Sequence, residues 1–278
     1  MPVADQPGFY GNLAVSRSGR IAADVDHRVW LYEPGGGRVR LAPENRDAAE
    51  STPIWAPDGS RVFYSSNESG TWDIYSRVPN AAASVVVLPR EFDQFTGAVA
   101  RDGTLAFTEA HPTTGNDIWL LPPGGGTPEP WQAMPASEVN ADFSPDGRWL
   151  AYSSNVSGRF EIYVGSVQGE TEGRIPVTTE GGQAPVWSPT GDRLFCRQGA
   201  AVMAVEVVSL DPLDFGDHQR LFDGGWELRG PEQPNLKTYD VTPDGEHFVM
   251  VRHAPAAIPD RINIVQNWFE ELRERVLN

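Results

Sequence analysis

Glu50, Glu138 and His111 are the side chains through which this sequence could do chemistry. Carboxylate oxygens suit calcium or magnesium, and an imidazole admits a transition metal. A divalent cation held by these three could polarise a carbonyl or phosphoryl oxygen while a carboxylate or His111 activates water. Trp226 could cover an apolar ligand, and Arg229 could pair with an anion or a carboxylate. No close-spaced ligand motif supports the metal: there is no HExxH and no EF-hand loop. In the plainer reading these are loop residues in water, or residues that satisfy exposed backbone groups. The choice rests on whether the fold brings such distant residues together.

A repeat decides what the fold is. "FSPDGRWLAYSSNVSGRFEIYVG" (143–165) is echoed by "TPIWAPDGSRVFYSSNESGTWDIY" (52–75). Each phrase holds an apolar run, an Asp-Gly turn, an alternating strand, a polar loop and a further strand. Weaker copies are "LAVSRSGRIAADV", "AVARDGTLAF", "PVWSPTGDRLF" and "YDVTPDGEHFVMV". The turn glycines are Gly19, Gly59, Gly103, Gly147, Gly191 and Gly245, separated by 40, 44, 44, 44 and 54 residues. A period of ~40–45 residues with short strands is the signature of propeller blades. The expectation is an all-β, six-bladed β-propeller of four-stranded antiparallel blades, one domain over 1–278. "FEELRERV" reads as a short C-terminal amphipathic helix, and residues near Val3 to Gln6 are expected to close the ring.

In such a ring the first strand of each blade lines the channel. The loops entering that strand lie on one face with the loops joining second to third strands, where ligands usually sit. Glu50, Asp93, Glu138 and Glu180 enter inner strands, while Glu68, Glu109 and His111 follow second strands. Asn140 and Asp142 lie in the fourth inner strand. "FDGGWELRGPEQPNLK" (222–237) accounts for the long last spacing, and its glycines and prolines exclude a regular element. The predicted pocket is therefore Glu50, His111, Glu138, Trp226 and Arg229, with Glu50, Glu138 and His111 as candidate ligands for a calcium or transition-metal ion.

Other signals are discounted. Asp214-Phe215-Gly216 lacks every companion of a kinase motif and reads as a turn between third and fourth strands. Gly35–Gly37 and Gly124–Gly126 precede no helix and read as hairpin turns. Asn67 and Asn155 match a glycosylation pattern at equivalent repeat positions, which points to loop geometry. Trp55, Phe143 and Trp187 share one inner-strand place, and Tyr75, Trp119 and Tyr163 one third-strand place, which means packing between blades. The single cysteine, Cys196, allows no internal disulfide and no cysteine-based zinc site.

The formal charge of −16 argues against binding the nucleic-acid backbone. No apolar run is long enough to span a membrane. The first residues lack the basic start and apolar core of a signal peptide, so a cytoplasmic, monomeric protein is expected.

"WAPDGSRVFYSSNESGTWDIY", "FSPDGRWLAYSSNVSGRFEIYV" and "VWSPTGDRLF" resemble the WD40-like repeats of the TolB propeller family. The order from "DIWLLP" to "INIVQNWFEELRERV" is similar to the C-terminal propellers of bacterial serine/threonine kinases, over most of residues 50–275. That resemblance implies a module that senses a ligand or binds a protein partner. Other six-bladed propellers hold calcium in the channel and cleave lactones or organophosphates. By analogy of architecture, a metal-dependent hydrolase is the alternative.

Overall fold

The computed structural model describes residues 2–4, 8–42, 47–169, 173–223, 236–252 and 261–265. Strand β1 (Pro2–Ala4) stands alone at the start. The first blade follows as β2 (Tyr10–Val15), β3 (Ile21–Val25), β4 (Arg28–Tyr32) and β5 (Arg38–Arg40). The second is β6 (Glu50–Trp55), β7 (Val62–Ser66), β8 (Asp73–Arg77) and β9 (Val85–Leu88). The third is β10 (Gln94–Val99), β11 (Leu105–His111), β12 (Gly115–Leu121) and β13 (Glu129–Gln132). The fourth is β14 (Glu138–Phe143), β15 (Trp149–Ser154), β16 (Glu161–Ser166) and β17 (Ile175–Pro176). The fifth is β18 (Gln183–Trp187), β19 (Arg193–Gln198), β20 (Ala201–Leu210) and β21 (Leu213–Asp223). The last sheet joins β22 (Tyr239–Val241), β23 (Phe248–Arg252) and β24 (Arg261–Val265) to β1, which pairs antiparallel with β24.

This corrects the expected six-bladed architecture. Five blades are each built from four consecutive strands, whereas the remaining four-stranded sheet is a composite of both chain regions. The reason is hydrogen bonding: the outer edge of β24 is met by β1, so Pro2–Ala4 supplies the edge strand that the other blades draw from their own sequence. No helix occurs among the described residues, and "FEELRERV" lies outside them. A second correction concerns Asp214-Phe215-Gly216, which lies within β21; the turn before it is Asp211-Pro212.

The turns form for the reason read in the sequence. Gly19, Gly59, Gly103, Gly147, Gly191 and Gly245 all have φ between 70° and 96°, where glycine alone is free of Cβ strain. In four blades the turn aspartate accepts the backbone N–H two residues on, as Asp146 does from Arg148 at 3.1 Å and Asp58 from Ser60 at 2.9 Å. Asn67 and Asn155 do equivalent work, their side-chain oxygens accepting from Ala49 N–H at 2.7 Å and Ser137 N–H at 2.8 Å. Each clamps the loop that enters its own inner strand, which accounts for their shared pattern.

Neighbouring blades are joined by apolar clusters and buried polar bonds. Trp55 packs with Leu31 and Leu41 of the first blade, Phe143 with Ala98 and Ala106 of the third, and Trp187 with Val164 and Val177 of the fourth. Truncating such a ring would cost about 3–5 kcal/mol. The buried Asp24 carboxylate accepts from Asn12 N–H at 3.1 Å in its own blade and from the Ser51 hydroxyl at 3.0 Å in the next. Further joints are Thr96 N–H to Ser65 Oγ, Ala184 N–H to Ser153 Oγ and Tyr239 O–H to the Ala184 carbonyl. Val15 N–H donates to Asp240 at 2.8 Å and closes the circle. No helix of the described residues is long and apolar enough to cross a membrane.

Candidate functional site

The inner strands place equivalent residues at equal heights around the channel, so the site is best built row by row. Counting back from each turn glycine gives the register. Two residues before it stand Arg17, Pro57, Arg101, Pro145, Pro189 and Pro243. Five before it stand Ala14, Ile54, Ala98, Asp142, Val186 and Asp240. Both rows line one cavity of about 540 Å3 at the end of the channel where the inner strands run into their Asp-Gly turns. Arg17 and Arg101 are exposed at its rim.

Two acids break the apolar inner row, and both serve the neighbouring blade. Asp142 Oδ2 accepts the backbone N–H of Trp187 at 2.8 Å, just as Asp240 Oδ2 accepts that of Val15. Lys237 answers them. Its Nζ lies 3.5 Å from Asp240 Oδ1, and its backbone N–H donates to Asn12 Oδ1 at 2.6 Å. Burial pushes the Asp142 carboxyl up to about 6, against the pull of Lys237 and the Trp187 N–H, with Asp240 adding to the rise. Burial alone would lower the Lys237 ammonium, but Asp240 and Asp142 outweigh it and hold its pKa above the ordinary value. The channel end thus combines a charged floor, an apolar wall and a proline and arginine rim. Lys237 also borders a small internal cavity of about 20 Å3 with Thr52, Thr96 and Asn140. Thr52 and Asn140 there hold left-handed φ values of 47° and 56°.

Of the residues expected to form the pocket, Glu50 and Glu138 sit at the other end of the inner strands, and His111 ends a second strand. Nine residues before the turn glycines, Glu50, Gln94, Glu138 and Gly182 begin β6, β10, β14 and, one residue early, β18. Glu50 is fully buried between the first two blades, where Oε2 accepts the Val29 N–H at 2.7 Å and Oε1 lies 3.7 Å from Arg40. Glu138 is also fully buried, and Oε1 accepts from the Ser154 hydroxyl at 3.1 Å. Burial pushes it up to about 7, with the Ser154 bond opposing and Asp117 adding to the rise. His111 ends β11, packs edge-on against Phe92 at 4.9 Å and borders a separate surface cavity of about 460 Å3 with Asp93 and Asn116.

Asp117, raised by burial, feels His111, which lowers its pKa, and in turn raises that of Glu138. Glu50 belongs to a different seam. Among the described residues, no trio of His, Cys or carboxylate ligand atoms within 4.8 Å of one another includes Glu50, Glu138 or His111; the trio found is Asp244, Glu246 and His247, on a turn. Glu109 is held by Arg90, whose Nη2 donates to Oε1 at 2.9 Å. Trp226 and Arg229 lie outside the described residues. Sequence reading noted Asp142 but passed over Asp240 and Lys237. Their signal was an acid at a register filled elsewhere by Ala, Ile or Val.

No family model matches the chain. It is 33% identical over 123 residues to an uncharacterised protein of Agrobacterium fabrum, covering 41% of this chain and 39% of that one. It is 30% identical over 144 residues to the Tol-Pal system protein TolB of Bordetella pertussis, covering 51% of this chain and 33% of that one. The chain thus spans only a third to two fifths of these curated relatives. Its fold is similar to that of a TolB candidate from Agrobacterium tumefaciens, with a TM-score of 0.73 at 18% identity over 90% of this chain and 91% of that one. A gluconolactonase from Xanthomonas campestris has a TM-score of 0.62 at 15% identity, over 95% and 88%. The fold is a β-propeller similar to that of TolB. These relatives carry the TolB likeness, not the one to kinase-linked propellers.

Proposed function

We propose that this propeller is a non-catalytic binding module that receives a protein, peptide or small ligand at the channel mouth ringed by the Asp-Gly turns. The observation that carries the reading is the cavity of about 540 Å3 in which Asp142 and Lys237 meet the rim of Arg17, Arg101 and four prolines. Its volume falls within the roughly 300–1,000 Å3 typical of ligand sites, and apolar walls with a few convergent polar groups are the usual composition. A polypeptide occupant accords with the TolB likeness. The test is binding of peptides selected on the wild-type protein. Arg17→Glu and Arg101→Glu, both at exposed positions, should weaken them without unfolding the ring. Unchanged affinity in both variants would defeat the reading.

The alternative of a metal-dependent hydrolase draws support from the fold likeness to a gluconolactonase, which is a likeness of fold alone. It would use the entry-loop face, but among the described residues Glu50, His111 and Glu138 do not share one ion there, so its cation would need other ligands. Turnover of lactone, ester or phosphotriester substrates that a chelator abolishes would establish it. Absence of turnover with calcium, manganese and zinc would remove it.

A further inference from the structure

The outer wall between the third and fourth blades holds a second cavity, of about 810 Å3, remote in register from the channel rows. β13, of four residues, borders it through Glu129, Pro130, Trp131 and Gln132, and β17 of the fourth blade is only two residues long. The gap is floored by Trp131, whose ring lies so close on the fourth blade that a Cβ at Gly165 would come within 2.9 Å of it. The indole N–H of Trp131 donates to the Ser166 carbonyl at 3.1 Å, and its ring meets Tyr152 edge-on at 5.3 Å. Met134, Leu120 and Pro130 add apolar surface beside the polar Thr104, Gln132 and Gln168.

Two hydrogen-bond donors lie on this cavity without an anionic partner. The Tyr152 hydroxyl belongs to a fully buried side chain, and the Arg174 guanidinium is its hydrogen-bonding neighbour. Arg174 is half-buried and stacks over Tyr163 at 5.3 Å, and its Nη1 donates to the thioether of Met134 at 3.1 Å. Among the described residues Arg174 makes no ion pair, in a chain with 38 acidic and 22 basic residues. Its charge is felt by both Tyr152 and Glu138. A guanidinium is shaped to take a carboxylate with two parallel bonds. Asp102 and Glu129 are exposed at the cavity's edge, which disfavours a ligand carrying several negative charges.

We infer that the cleft between the third and fourth blades binds a monocarboxylate with an aromatic or aliphatic body. Arg174 and Tyr152 O–H hold the carboxylate, and Trp131 and Met134 cover the body. The acid could be a free small molecule or the carboxyl end of a peptide, since the recognised chemistry is the same.

Calorimetry with 4-phenylbutyrate, its neutral amide and an acetylated tetrapeptide ending in phenylalanine tests the site. The acid should bind about tenfold or more tightly than the amide, the gain expected of hydrogen bonds to a charged group. Arg174→Gln should erase that preference, Arg174→Lys should keep part of it, and Tyr152→Phe should weaken the acid alone. Circular dichroism and thermal melting of each variant separate lost binding from lost folding. Binding of the tetrapeptide but not of phenylbutyrate would assign the site to chain ends; binding of both would assign it to the carboxylate as such. Equal affinity for acid and amide, no binding of either acid, or an Arg174→Gln variant that keeps the preference would overturn the inference.

Discussion

Asp117 lies close enough to Glu138, across the seam between the third and fourth blades, to raise the pKa of its carboxyl. Each of the two keeps one oxygen without a hydrogen bond, Oδ1 of Asp117 and Oε2 of Glu138. Burial also raises Asp117. The equivalent seams avoid the conflict: Val29 stands opposite Glu50, and Asp73 lies beside a seam whose entering residue is the neutral Gln94. Two like charges in a low-dielectric seam favour a proton on one of them.

This pair predicts a pH dependence. The folded pKa of Glu138 is raised to about 7 from an ordinary value of 4.5. Stability should therefore fall as pH rises from that ordinary value to about 7, because the unfolded chain ionises first. Glu138→Gln should stabilise the protein at pH 8 by about 1–3 kcal/mol and leave it unchanged at pH 4. Urea denaturation at both values checks this. Equal stability at pH 8 would mean that folding does not raise the pKa of this carboxyl.

Glu50 should behave in the opposite way despite its equivalent register. Its carboxylate accepts the Val29 N–H and lies near Arg40. Glu50→Ala removes the partner of buried polar groups and should destabilise by about 3 kcal/mol. Chemical denaturation of the two variants side by side measures the contrast.

Lys237 should set the state of the channel acids. Lys237→Met removes the charge that holds down Asp142, so the Asp142 pKa should rise further above about 6. Carboxyl carbon shifts followed by NMR titration report it directly. A pKa that stays put would place the balancing charge elsewhere.

Gly165 is a steric test of the outer cleft. Its substitution by alanine drives a Cβ into the Trp131 ring. Gly165→Ala should cost about 1–3 kcal/mol through overpacking and break the Trp131 bond to Ser166. Thermal melting and the indole N–H resonance of Trp131 both read the change.

The repeat was legible because each blade solves the same local problem with the same residues. An Asp-Gly turn, an alternating strand and an aromatic at the blade interface are dictated by φ, pleat and packing, and all are visible in one dimension. Glu50 and Glu138 were legible as carboxylates entering inner strands, but not as buried ones. The seam that encloses them is made by residues of the preceding blade, such as Val29 and Asp117, some 20 positions away. The composite sheet was partly legible: residues near Val3 read as closing the ring, and β1 pairs with β24 there. The open end of the channel was not legible, since it depends on how wide the six turns stand apart. Asp142 and Asp240 became meaningful only when aligned with Ala98 and Val186.

The central claim is that ligands enter at the turn-side mouth, and hydrogen–deuterium exchange with a peptide selected on the native protein tests it most directly. The account predicts protection concentrated in the segments that carry Arg17, Pro57, Arg101, Pro145, Pro189 and Pro243, together with β22 beside Lys237. It also predicts that Asp142→Asn with Asp240→Asn alters the affinity while the ring stays folded. Protection confined to the entry loops around Asp93, His111 and Glu180, with the turns unaffected, would contradict it.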